Sequence, residues 1–149
     1  NLKKLLVDPA VTKLFHFARA DLAAIKRWLG VMPMPVYCTK IASVLVRTFT
    51  DRHGLKDLSR DLIAVDMSKE QQTSDWGAPT LTPEQQTYAA SDVLHLHKMK
   101  AKLDIMLARE GRTELARKMM DFLPVRAELD LEGWRDIDVF SHKPTRKQD

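Results

Sequence analysis

Apolar residues along this chain recur at two different periods. From Thr82 to about Arg109, Ala89, Val93, Leu96, Met99 and Leu103 follow helical spacing and predict one long helix with a buried stripe. Its start is well signed: Thr82 is a good N-cap, Pro83 suits the first helical position, and Gln85 can close a capping box with Thr82. Upstream, Val11 to Phe17 (VTKLFHF) is β-branched and aromatic and predicts a short, largely buried strand. The segment ARADLAAIKRWLG follows it. Leu22, Ile25, Trp28 and Leu29 give that segment one helical face, and Gly30 is its C-cap.

The remaining elements are shorter. Asn1 to Leu6 reads as a helix end stopped around Asp8-Pro9, and Val36 to Cys38 as a very short strand. Thr39 is expected to cap a helix through about Phe49, with Ile41, Leu45 and Val46 inward. Leu55, Leu58 and Leu62 stripe a further helix. Ala64 to Trp76 is polar, and Gly77 to Leu81 is an extended linker. After Gly111, a helix from Arg112 to Phe122 is expected to end at Pro124, with a short turn over Val125 to Leu131. From Ser141 onward the chain is a polar, basic tail, expected to be disordered.

With 149 residues, 44% hydrophobic and 30% charged, the chain is large enough for one globular domain. No apolar run approaches the ~20 residues of a membrane helix, and the N-terminus lacks the layout of a signal peptide. The single cysteine, Cys38, excludes an internal disulfide and suits a reducing, cytoplasmic setting. A net charge of +4 suits a polyanionic partner, although much of the excess lies in the tail.

Candidate chemistry is confined to a few side chains. Tyr88 and Asp92 are one turn apart on the long helix, so a carboxylate able to hold a divalent cation stands beside a phenol able to orient water. A simple hydrogen-bonded pair has the same spacing. Asp21 sits in the first turn of the helix after the strand, where it serves equally as a ligand or as a partner of the helix dipole. No glycine-rich phosphate loop and no cysteine/histidine zinc spacing occurs. His95 and His97 face different ways on their helix.

Taken in order, KLFHFARADLAAI, a polar segment ending in Trp76, and LTPEQQTYAASDVLHL resemble the ribonuclease D branch of the DEDD-type 3′–5′ exonucleases, tyrosine subclass. The resemblance runs from about Leu5 to about Arg112. It implies a ribonuclease H-like α/β fold, here lacking its leading strands and so predominantly helical with one or two short strands. It also implies hydrolysis at the 3′ end of a nucleic acid, RNA above all, by two Mg²⁺ or Mn²⁺ ions held by four carboxylates. Asp21 and Asp92 would be the third and fourth carboxylates, and Tyr88 would orient the attacking water. His16 and Trp76 would lie along the substrate path. His16 has an equal account as a packed residue at a strand end.

The sequence departs from the family in three places. No Asp-x-Glu precedes Asp21, Cys38 stands where an aspartate is frequent, and Gly77 to Thr80 lacks an arginine. With a start at Asn1 inside a helix, the expectation is an N-terminally truncated nuclease. Residues 1–140 would be the carboxyl-side part of the domain and 141–149 a basic tail. Such a chain would be inactive alone. The alternatives are a catalytically inactive nucleic-acid-binding or protein-interaction module of the same fold, and a helical scaffold. The oligomeric state is not legible in these residues.

Overall fold

A computed structural model describes residues 1–66 and 77–143; in the long helix, the side chains of Tyr88, Ala89, Ser91 and Asp92 lie outside the description. The chain forms two compact units, one of Asn1–Ile41 with Glu114–Asp149 and one of Ala42–Thr113. The described residues are mostly helical, with two short parallel strands.

The first unit is built on a β-α-β segment. Helix α1 (Leu2–Val7) is capped by Asn1, whose side chain accepts from the Lys3 N–H at 2.9 Å. Strand β1 (Lys13–Phe15) pairs in parallel with β2 (Val36–Cys38), in the register Lys13↔Val36, Leu14↔Tyr37, Phe15↔Cys38. Helix α2 (Ala18–Leu29) connects them and packs on both strands. Gly30 ends α2 at φ 76°, a left-handed conformation that its missing Cβ makes inexpensive. Ala18, Leu22, Val36, Tyr37 and Cys38 are buried here, with Ala116, Met120, Leu123 and Ala127 of helix α6 (Thr113–Leu129). A wide π-type turn, Asp130–Trp134, follows α6 and packs on α2.

The second unit contains most of helix α3 (Thr39–Val46), then α4 (Leu55–Ile63) and the long α5 (Pro83–Arg109) packed on α4. Leu58 of α4 and Met99, Leu103 and Leu107 of α5 are core. Arg47 is also buried, and its charge is met there: it donates to the Asp61 carboxylate, to the Arg52 carbonyl at 3.0 Å and to Ser43 Oγ at 3.4 Å.

Several expected details are corrected. The first strand is Lys13–Phe15, not Val11 to Phe17. The Val11 N–H is drawn into a turn on the Asp8 carbonyl, and Phe17 turns left-handed. Trp28 is 77% exposed and Val93 58%, so neither belongs to its expected core stripe. Helix α3 stops at Val46, leaving Phe49 exposed. Helix α6 runs through Pro124 to Leu129. The proline removes one backbone hydrogen bond, yet it is buried between the core residues Leu123 and Ala127, and packing carries the helix past it. The polar segment beyond Asp66, Trp76 included, and the tail from residue 144 lie outside the described residues.

Candidate active site

The paired strand ends set the surroundings of His16 and Asp21. The Thr39 hydroxyl, just beyond β2, donates to the Phe15 carbonyl at 3.3 Å, and its oxygen faces His16 Nδ1 at 2.8 Å. The Thr39 hydroxyl is thus shared between the Phe15 carbonyl and the His16 ring. Thr39 is completely buried, so this hydrogen bond fixes the His16 ring from the interior. Thr39, expected as a helix cap, is instead the first residue of α3, and its hydroxyl supports His16.

Phe17 then turns the chain at φ 61°, and the Ala18 N–H points at Cys38 Sγ at 3.4 Å. Helix α2 begins here and carries Asp21 in its first turn. Asp21 is exposed as a residue, yet partial desolvation of its carboxylate pushes its pKa above the ordinary aspartate range. Among the described residues none donates a hydrogen bond or an ion pair to it. The helix dipole favours its charge, and desolvation outweighs that help. An anion left in this state gains from a cation.

The start of α2 is anchored from far away in sequence. Arg19 grips Asp130 with two hydrogen bonds of 2.7 Å, and its Nη2 also donates to the Arg135 carbonyl at 2.7 Å. Arg126 binds the same carboxylate at 3.0 and 3.2 Å, and also the Ile137 and Trp134 carbonyls. Burial works to raise the Asp130 pKa. The hydrogen bonds from Arg19 and Arg126 prevail and hold it below the usual carboxylate range. The same contact with Asp130 raises the Arg19 pKa. Asp130 opens the Asp-x-Glu triplet Asp130-Leu131-Glu132, but its carboxylate is spent on two arginines and is not a free metal ligand. In the cleft of about 340 Å³ beside α2, Asp130 is the one carboxylate among the described lining residues, and the arginines already occupy it.

The other expected motif residues lie on α5, in the second unit. The capping box forms as expected: Thr82 Oγ1 accepts from the Gln85 N–H at 3.1 Å, and Gln85 Oε1 accepts from the Thr82 N–H at 2.9 Å. This fixes the first turn, and Tyr88 and Asp92 follow on the same continuous helix, four residues apart. Their side chains lie outside the described set, as does Trp76. Among the described residues no group of three or more acidic, histidine or cysteine side chains gathers to hold a metal.

Comparison with known proteins decides the family. A family model for the 3′–5′ exonuclease domain matches residues 1–108. The chain belongs to the 3′–5′ exonuclease family. Within it the chain is ribonuclease D-like: it is 35% identical over 142 residues to a ribonuclease D of Acidiphilium cryptum, covering 93% of this chain and 36% of that protein. It therefore spans about a third of the length of the curated ribonucleases D it matches. Two solved structures are more similar. Brucella melitensis NrnC with bound Mg²⁺ superposes at a TM-score of 0.89 with 53% identity, covering 96% of this chain and 69% of that one. The same nuclease bound to pGG superposes at 0.88 with 55% identity over the same shares. The exonuclease family is divalent-metal dependent.

Sequence reasoning pointed to Asp21, His16, Tyr88 and Asp92 from local motifs. It missed the supports: Thr39 under His16, and Asp130 with Arg126 under Arg19. Arg19 and Asp130 are 111 positions apart, and no local signal joins them.

Proposed function

We propose that this chain carries two of the four metal-binding carboxylates, and the water-positioning tyrosine, of a 3′–5′ exonuclease acting on RNA. The observation that carries this reading is the family match over residues 1–108, which contains Asp21, Tyr88 and Asp92 in the motif order of the tyrosine subclass. The chemistry of Asp21 fits a divalent ion. It offers hard carboxylate oxygens, no described donor occupies them, and its negative charge is disfavoured until a cation neutralises it. Bound Mg²⁺ or Mn²⁺ would supply a nucleophilic hydroxide and stabilise charge on the phosphoryl oxygens and the leaving 3′ oxygen.

The residues of this chain then have distinct tasks. Asp21 and Asp92 hold the ions, and Tyr88 aligns the attacking water through its hydroxyl. His16, its ring held by Thr39, borders the substrate path, and Trp76 lines it. The NrnC structure bound to pGG supports a nucleic-acid substrate and makes short RNA the first to test.

The Asp-x-Glu pair of the family is not found before Asp21, so these 149 residues supply half of the carboxylate set. We place them, through residue 140, in the carboxyl-side part of the exonuclease domain, with 141–149 as a basic tail, in a reducing cytoplasm that keeps the buried Cys38 free. Alone they should hold at most one weak ion and leave RNA uncut. An inactive binding module of the same fold is the second reading, favoured by that same missing pair.

The test is release of 3′-terminal nucleotides from 5′-labelled RNA and from pGG with Mn²⁺, for the 149-residue chain and for the protein expressed from its own gene. Activity of the latter that EDTA and Asp92→Asn both abolish supports the enzyme. Tight binding without cleavage supports the binding module. Robust EDTA-sensitive cleavage by the 149 residues alone would sink the assignment of roles.

A further inference from the structure

Phe17 is one of two described non-glycine residues with a left-handed backbone, with Ala64, and it is the bulky one of the pair. Its backbone is left-handed, at φ 61° and ψ 55°. For a bulky residue this is a genuine outlier that glycine or asparagine would adopt more readily. Burial does not compensate, because 48% of the residue is exposed to solvent. Such a strained position is retained where the side chain has a task at that place.

The surroundings indicate the task. In the parallel pair, Phe15 lies opposite Cys38, and each strand stops there. Phe17 and Lys40 each follow two residues later, so both stand beyond the carboxyl ends of adjacent parallel strands, the edge where α/β folds place ligands. There the Lys40 ammonium lies 4.2 Å from the centre of the Phe17 ring. Among the described residues no carboxylate pairs with Lys40, and the ring quadrupole engages its ammonium. Asp21 follows in the first turn of the helix that Phe17 opens.

We propose that Phe17 and Lys40 form a nucleotide platform in which the Phe17 ring stacks on a nucleobase and the Lys40 ammonium contacts an adjacent phosphate. The platform deepens the exonuclease reading and rests on it for the identity of the ligand. Stacking on one aromatic face tolerates every base, which suits an enzyme that removes residues without regard to sequence. The left-handed turn is what presents the ring: an extended residue at this position would continue β1 instead of entering α2. The ammonium, already desolvated on the side facing the ring, needs little reorganisation to meet a phosphate.

The test uses the protein expressed from its own gene, a fluorescent short RNA, and the same RNA with its 3′-terminal base removed. Binding is measured in EDTA, and cleavage separately with Mn²⁺. Phe17→Gly should weaken binding of the intact RNA by about 5- to 100-fold, the range of one lost base stack. It should leave binding of the abasic RNA unchanged and should keep or raise the melting temperature, because glycine relieves the left-handed strain. Phe17→Trp should preserve the preference for intact RNA. Lys40→Gln should weaken both RNAs alike and reduce the salt dependence of binding. Equal affinity of Phe17→Gly and wild type for intact RNA overturns the proposal. So does a loss shared by the abasic RNA, or a Phe17→Gly variant that unfolds. Base-dependent binding that follows Phe17 in a protein that cuts nothing would leave the platform standing and remove the exonuclease. Robust cleavage indifferent to Phe17 would do the opposite.

Discussion

Asp130 offers the sharpest quantitative test of how the candidate site is held. Its carboxylate accepts four hydrogen bonds, two from Arg19 and two from Arg126, and its side chain is only 10% exposed. Asp130→Ala removes the anion and leaves Arg126, 13% exposed, without its counter-charge. Breaking a buried pair from one side costs about 3–5 kcal/mol. Two features reduce that here. Arg126 keeps the Ile137 and Trp134 carbonyls, and Arg19, 36% exposed, can turn to water. A loss of about 3 kcal/mol remains, equivalent to roughly 6–12 °C in melting temperature for a chain of this size. Asp130→Asn should cost nearly as much, since its amide would turn a donor toward the arginines. Thermal melts of both variants and wild type between pH 2 and pH 7 are the assay. Because the folded pKa of Asp130 lies below the ordinary value, its contribution is present above that ordinary value of about 3.9. It should fade as pH falls through the folded pKa, and the three curves should then converge. An Asp130→Asn protein as stable as wild type at pH 7 would refute the ionic account. Curves that stay parallel to pH 2 would refute it too.

Three further outcomes are expected. Asp21→Asn should raise the melting temperature at neutral pH in metal-free buffer, because it removes a desolvated charge whose folded pKa is raised; the gain should disappear as pH falls below the ordinary aspartate range, and a gain that persists there would point to packing. On the proposed mechanism, Tyr88→Phe should lower kcat by about 10²–10⁴-fold with KM little changed, read from steady-state release of 3′ nucleotides; a change confined to KM would make the hydroxyl a binding group. Leu103→Ala, at a position with no solvent exposure in α5, should cost about 3–5 kcal/mol in urea unfolding, and a cost under 1 kcal/mol would show that the second unit collapses around the gap.

What the sequence determined by itself is local. The Thr82 cap, the proline at the first position of α5, the glycine ending α2 and the spacing of Met99 and Leu103 act over a few residues, and those elements formed where the signals put them, whereas Asn1, expected inside a helix, caps α1. The motif residues Asp21, Tyr88 and Asp92 were singled out on equally local grounds, each motif lying within the sequence of one helix, α2 for Asp21 and α5 for the other two. Tertiary structure decided which apolar residues are core. Trp28 and Val93 keep the helical period of their neighbours, yet face water, because period fixes a direction and not the presence of a partner. It also decided that α6 continues through Pro124, where burial outweighs a lost hydrogen bond. The supports of the site belong wholly to this level. Thr39 reaches His16 because two parallel strands end side by side, and Asp130 reaches Arg19 because the turn after α6 packs on α2. A charge pair separated by 111 positions is set by the closure of the fold, and no local pattern encodes it.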